Sequence, residues 1–231
     1  MSGVLAHRPR SPKLAMFGAG VLVLAVMFWQ GSVVTVVPVA GPTVADSYPS
    51  AGLAFQPNAY VERIWPKQIV AMVRKDAVPL PQLLSALAKD KAAALTTYGN
   101  KVGDAYNILV SFSGTVGKID TSTPMGMLTV DTKDNGKSVP VQVAVGPVIL
   151  GTTLRDALKF ISFGEFLNQI QYGDVSDALN NMVTSKIVTP KEAANLRGQA
   201  VTIFGAYTYN DSDPQDITVT PVILERAKGS Q

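Results

Sequence analysis

No cysteine occurs among the 231 residues, and the only histidine is His7. Disulfides, thiolate metal sites and cysteine nucleophiles are thereby excluded. Histidine-based triads and the usual zinc or iron constellations are absent from the rest of the chain. A concentrated excess of basic charge is missing as well. The net charge of +3 resides in residues 1–13, which carry Arg8, Arg10 and Lys13 and no acid. The remainder is balanced, and binding to phosphates needs clustered Lys and Arg, so no nucleic-acid partner is expected. Gly114-Thr-Val-Gly117-Lys118 has neither the length of a phosphate loop nor the Ser or Thr after its lysine. The Ser/Lys spacing S-x-x-K does not occur. Asn210-Asp-Ser-Asp213-Pro-Gln-Asp216 clusters carboxylates but lacks the glycine and glutamate of an EF-hand loop, and reads as a solvated turn. Nothing favours paired-carboxylate glycosidase chemistry, whose defining separation is spatial. Neither an enzymatic activity nor a cofactor or metal is expected.

What the chain does have is apolar sequence, 47% of its residues, too much for a disordered protein. No charged residue appears between Lys13 and Asp46. A spanning helix needs about 20 apolar residues, and Leu14 to Val34 supplies them, with Phe28 and Trp29 as interfacial aromatics. The basic flank predicts a cytoplasmic amino end and an exported main domain. A cleaved signal peptide is the competing reading, with Pro38-Val39-Ala40 or Thr43-Val44-Ala45 as the processing site. The organisation expected is a basic tail (1–13), a transmembrane anchor or uncleaved signal (14–34), a linker (35–57), a helical preface (58–100), a main domain (101–226) and a short tail (227–231).

In the preface, Tyr60, Val61, Ile64 and Trp65 share one helical side. Lys67 to Arg74 carries no clear period. Leu80 to Gly99 predicts one helix, with Pro81 in its first turn, Leu83, Leu84, Leu87 and Ala88 as its stripe, and Gly99 as its stop. From Tyr106 the period changes to two. Five alternating segments follow: Tyr106 to Val116, Gly126 to Asp131, Val139 to Val145, Val201 to Tyr209 and Ile217 to Ile223. Asn135-Gly136 is a hairpin turn signal. Between the third and fourth segments, Thr153 is placed to cap a helix with Asp156 three residues on. Leu154, Ala157, Leu158 and Ile161 continue at helical spacing, and a second helix is expected over Val175 to Val183. Three strands, a helical insertion and two strands is the order of a five-stranded OB-like barrel, mainly β with α. Glycine bulges at Gly114 and Gly205 would bend its strands. An open five-stranded α+β sheet is the alternative.

Further residues carry a resemblance. They are Phe55, Tyr60, Ile64-Trp65, Gly146-Pro147, Gly151-Thr-Thr-Leu-Arg-Asp-Ala157, Phe160-Ile-Ser-Phe163, Phe166-Leu-Asn-Gln169, Asp174-Val175, Leu179-Asn180 and Thr220-Pro221-Val222. Over residues 52–226 the chain resembles the bacterial family of predicted periplasmic lipoproteins, domain-of-unknown-function family 2291. The resemblance implies a periplasmic domain with an OB-like core, and an accessory place beside an ABC transporter component for carbohydrate uptake. The chain departs from the lipoprotein pattern in having no cysteine to lipidate, so attachment to the inner membrane would rest on the apolar helix.

Six residues are candidates for binding a ligand or partner. Arg155 and Asp156 head them, although adjacent residues on a helix do not face each other and separate partners are expected. Either Asp156 caps the helix while Arg155 pairs with a nearby carboxylate, or Arg155 joins Asn168 and Gln169 at the barrel mouth to hold a carboxylate, a phosphate or a sugar hydroxyl. Asn168 and Gln169 could instead tie down a break between helices. Tyr60 and Trp65 either present an aromatic surface to a partner or pack the preface onto the main domain.

Overall fold

The computed structural model describes residues 55–226. The expected basic tail, the apolar segment, the linker up to residue 54 and the tail at 227–231 lie outside them, and the expected linker gives way to helix already at Pro57. Helix α1 (Pro57–Ile64), a wide π turn (Trp65–Ile69) and α2 (Val70–Asp76) form one uninterrupted helical run. Pro57 occupies the first turn, where its missing N–H is harmless. Pro66 sits where a proline would crowd the carbonyl four residues back, and the wide turn makes room for it. The buried face is Val61, Ile64, Trp65, Ile69 and Val73, so the segment without a clear period is helical as well. After the two-residue strand β1 (Val78–Pro79), the single helix expected from Leu80 to Gly99 is two, α3 (Leu80–Lys89) and α4 (Lys91–Tyr98). Asp90 breaks it. Its backbone is extended and its carboxylate accepts the Ala93 N–H at 3.0 Å, so it caps α4. Gly99 ends α4 as expected, and opens a further short strand, β2 (Gly99–Val102).

The five alternating segments are strands β3 (Ala105–Asp120), β4 (Met127–Asp134), β5 (Lys137–Ala144), β6 (Ala200–Tyr209) and β7 (Thr218–Arg226). Antiparallel pairs join β3 to β4, β4 to β5 and β6 to β7. A short parallel contact, Gln142↔Thr218 and Val143↔Val219, joins β5 to β7. Because β3 also pairs antiparallel with β6, from Tyr106↔Tyr209 to Thr115↔Ala200, the path β3-β4-β5-β7-β6 returns on itself as a ring. That closure excludes the open sheet. The Asn135-Gly136 turn has positive φ at both residues (49° and 79°), the geometry that suits a tight hairpin. Gly205 lies at a register shift between β6 and β7, and a Cβ there would collide with the Thr220 carbonyl and stand 2.7 Å from Val219 Cγ1. The expected bulge at Gly114 is displaced. The shift in β3 falls between Val116 and Ile119, while Gly114 marks the place where β3 meets β4 and β6 together.

Two cores result. Inward side chains of the ring, among them Ile108, Val110, Leu128, Val141, Ile203 and Val219, form the first. The second lies outside the ring, where Leu109, Ala206 and Val222 meet the α1–α2 run and the helical insertion. Covered on both sides, β3 and β6 therefore carry consecutive buried residues rather than clean alternation. The insertion comprises α5 (Thr153–Ala157), a 3₁₀ turn (Phe163–Glu165), α6 (Gln169–Met182) with a terminal π turn (Val183–Ile187), and α7 (Pro190–Ala194). The helix expected from Thr153 to Ile161 is a single turn with Thr152, not Thr153, at its N-cap position, although Leu154, Ala157, Leu158 and Ile161 are all buried. It has no side-chain cap, because Asp156 is held by Arg155 and the Thr152 hydroxyl instead. The second helix begins six residues before the expected Val175, because Asn168 caps it and Gly173 lies in open space. Helices hold more of the described residues than strands do, so the fold is mixed α/β rather than mainly β.

Candidate functional site

Arg155 and Asp156 are both buried, each 6% exposed, and they bind one another. Arg155 Nε and Nη2 both meet Asp156 Oδ1, at 2.8 and 2.7 Å. The guanidinium lies 3.6 Å from the centre of the Tyr172 ring and donates to the Tyr172 carbonyl at 3.1 Å. Thr152 Oγ1 donates to Asp156 Oδ2 at 2.6 Å, and Asn100 Nδ2 donates to the Asp156 carbonyl at 2.7 Å. Burial raises the Tyr172 phenol above its ordinary range, with Arg155 opposing the rise and Asp156 adding to it. The expectation of separate partners is thus corrected. It holds along a continuous helix, whereas α5 is one turn long and α6 covers both side chains, so the dry surroundings favour mutual neutralisation. The pair is a joint between α5, α6 and β2.

Asn168 and Gln169 do not join it. Asn168 caps α6, accepting the Gln171 N–H at 2.9 Å, while Gln171 Oε1 accepts the Leu167 N–H at 3.1 Å. Gln169 is exposed on the first turn of α6. Tyr60 and Trp65 pack as an interior preface. Trp65 is 8% exposed within the second core, leaving no surface for a partner. Tyr60 is half-buried in an aromatic cluster, edge-on to Phe166 at 5.8 Å.

The concave surface lies elsewhere. A cavity of about 740 Å³ opens at the end of the ring where α4 begins, the β2–β3 turn reverses, and the β3–β4 and β6–β7 loops meet. Tyr106 and Tyr209, paired across β3 and β6, stand on its wall with Asp104, Asp211 and Asp216. Lys91 is its one cation, tied to Asp211 at 2.7 Å. That bond holds the Asp211 carboxyl below the usual range and Lys91 above its own. Met125, Met127, Val148 and Leu150 make the apolar side. Thr153 and Thr208, also on the wall, share a hydroxyl bond of 2.7 Å, and Thr208 Oγ1 donates to Asn107 Oδ1 at 2.7 Å. Behind them the buried Asn107 Nδ2 has no hydrogen-bond partner, a donor whose desolvation is uncompensated. Asn180 fixes the rim by donating to the carbonyls of Ile149 and Gly151 at 3.2 and 3.0 Å.

A second cavity of about 350 Å³ continues the first, sharing Met127 and Thr218 and running past Thr129 and Gln142 to Lys118 and Asp120. Hydrogen bonds from Ser122 and the charge of Lys118 hold Asp120 well below the ordinary carboxylate range. Together the two make one groove, from the ring end onto the outer face of β4 and β5. No group of acidic residues among the described residues is arranged to hold a metal ion. The Asn210–Asp216 acids instead brace their own turn: Asn210 Oδ1 accepts the Ser212 N–H and Asp213 Oδ1 the Gln215 N–H, at 3.0 and 3.3 Å.

A family model described as "Predicted periplasmic lipoprotein (DUF2291)" matches residues 22–225. The chain belongs to this family. No curated protein matches this DUF2291 chain. Its fold is similar to that of a crystal structure described as an OB-fold protein from Thermotoga maritima. The two are 19% identical with a TM-score of 0.62, covering 75% of this chain and 99% of the other. The family description places the domain in the periplasm. Among the described residues no helix is long and apolar enough to cross a membrane, and the expected anchor at 14–34 lies outside them.

The groove of this DUF2291 chain is bounded by the outer face of β4 and β5 and by the β3–β4 and β6–β7 loops. Sequence reasoning missed it because its residues are scattered from Lys91 to Thr220. The acid cluster at 210–216 was the one available signal, and it was read as a turn. It is a turn, and it is also a wall of the groove.

Proposed function

We propose that this protein is a periplasmic binding protein that takes up a small polyhydroxylated ligand, neutral or cationic, in the groove at the ring end. The observation that carries the reading is the convergence there of two tyrosines, three aspartates and threonine hydroxyls around about 740 Å³, a size suited to a compact ligand. Three carboxylates against a single, already paired lysine disfavour an anionic ligand, which replaces the Arg155-centred carboxylate site considered from sequence. Binding rather than catalysis fits a site in which two of the three acids are already engaged, Asp211 by Lys91 and Asp216 by the Thr218 hydroxyl. The stretch without charge between Lys13 and Asp46, in a chain that has no cysteine to lipidate, supports attachment to the inner membrane through Leu14–Val34. An accessory place beside a carbohydrate ABC transporter component suits such a ligand.

Calorimetric titration of the full chain in detergent with neutral sugars, amino sugars and uronic acids tests this. Neutral or amino sugars are expected to bind and uronic acids not. Tyr209→Ala should weaken binding by ~5- to 150-fold, the ~1–3 kcal/mol loss of one stacking or hydrogen-bonding anchor. Equal binding of uronic acids, indifference to Tyr209→Ala, or no sugar binding at millimolar concentration would refute the reading.

A further inference from the structure

We infer that the connector between α5 and α6, with the first turn of α6, docks on the lipid surface, seating Phe163, Leu167 and Ile170 at the boundary between headgroups and acyl chains. These side chains are 52%, 50% and 73% exposed and lie within eight residues, a concentration of bare apolar surface that marks contact with something apolar. They stand on a firm base. Phe163 packs edge-on against Tyr172 at 5.7 Å, and Phe166, from the same connector, packs against Tyr172 at 5.6 Å.

The place where the chain leaves the described domain identifies the occupant. Phe55, the first described residue, packs edge-on against Phe166 at 5.8 Å, so the polypeptide departs toward Leu14–Val34 from the aromatic cluster that carries the patch. The intervening residues 35–54 span at most ~70 Å even fully extended. A domain so tethered meets the bilayer at a high effective concentration, and three side chains of weak individual affinity then suffice. Between Leu158 and Gly173 the only charged residues are Lys159 and Glu165. Insertion is therefore driven by apolar burial rather than by anionic lipid, and a zwitterionic bilayer should serve.

The inference rests on the membrane attachment proposed above, and the test separates the two. The native chain has no cysteine, so a single introduced thiol can be labelled cleanly. Full-length Ile170→Cys and Ser138→Cys proteins, the latter at the far end of β4 and β5, carry a fluorophore in phosphatidylcholine vesicles with doxyl-labelled acyl chains. Flotation of the vesicles reports attachment. The expected result is flotation of both proteins, with lipid quenching at residue 170 at least threefold above that at 138. A chain that does not float overturns the attachment and the docking together. A chain that floats with equal quenching at both sites overturns the docking alone. So does a label at 170 shielded from both lipid quencher and aqueous iodide, which would mean a protein surface covers the patch. Leu167→Ser with Ile170→Ser should leave flotation intact and restore iodide access to a label at Phe163→Cys.

Discussion

The pair formed by Arg155 and Asp156 permits a quantitative test of how the insertion is held. Arg155→Met leaves the Asp156 carboxylate buried with Thr152 Oγ1 at 2.6 Å and the more distant Tyr172 hydroxyl at 3.4 Å. Stranding one member of a buried pair destabilises by about 3–5 kcal/mol. Asp156→Leu strands the guanidinium, which keeps the Tyr172 ring and carbonyl; a desolvated cation–π contact is worth about 2 kcal/mol, so the loss should fall at the lower end, near 3 kcal/mol. The double change removes both charges, and replacing a whole buried pair by apolar side chains is often neutral or stabilising. The coupling in the double-mutant cycle should then exceed about 3 kcal/mol, far above the few tenths that separate independent sites. With a urea dependence of about 2 kcal/mol per molar, each single change should lower the midpoint by roughly 1.5–2.5 M, and the double change by under about 0.5 M. Urea titrations followed by far-UV circular dichroism measure this directly. Additive losses would refute the claim that the two charges neutralise each other. The double variant should also retain any ligand bound by the groove, because neither residue lines it.

Two further outcomes follow from the ring. Gly205→Ala places a methyl group against the Thr220 carbonyl and 3.0 Å from Pro221 Cα, so thermal unfolding should register a loss above about 2 kcal/mol; an unchanged transition would show that β6 and β7 separate freely there. Burial pushes the Tyr207 phenol up to about 12. A group whose folded pKa is raised contributes fully below its unfolded value, near pH 10, and the contribution is lost as pH climbs through the folded one. Denaturant stability should therefore fall between roughly pH 10 and 12, and Tyr207→Phe should flatten that part of the profile; an unaltered slope would assign the loss to other groups.

The strands were legible because each buries one face against the ring interior, and a period of two survives wherever the outer face stays wet. Asn135-Gly136 was legible because two consecutive positive φ angles restrict the residues that fit. The helices were harder. Asp90 looks like an ordinary exposed helical residue until its carboxylate is seen turned onto Ala93. The strands β1 and β2 are too short to carry a period. The Arg155–Asp156 contact escaped because it depends on where α5 stops, and tertiary packing against α6 decides that. The groove was the least legible of all. Lys91 and Asp211 meet across 120 positions of chain, and only ring closure brings them together.

That closure has a consequence for how the polypeptide comes to be made. Emerging amino end first, it can zip residues 105–144 into a meander at once, since those partners are sequence neighbours. The other edge of the longest strand must wait until residues 200–209 arrive, and such distant pairings form slowly. During that interval a ready template lies open to any stray strand. A polypeptide delivered unfolded through a membrane pore would profit from that same delay, because it cannot lock into its final shape before its last hairpin has crossed.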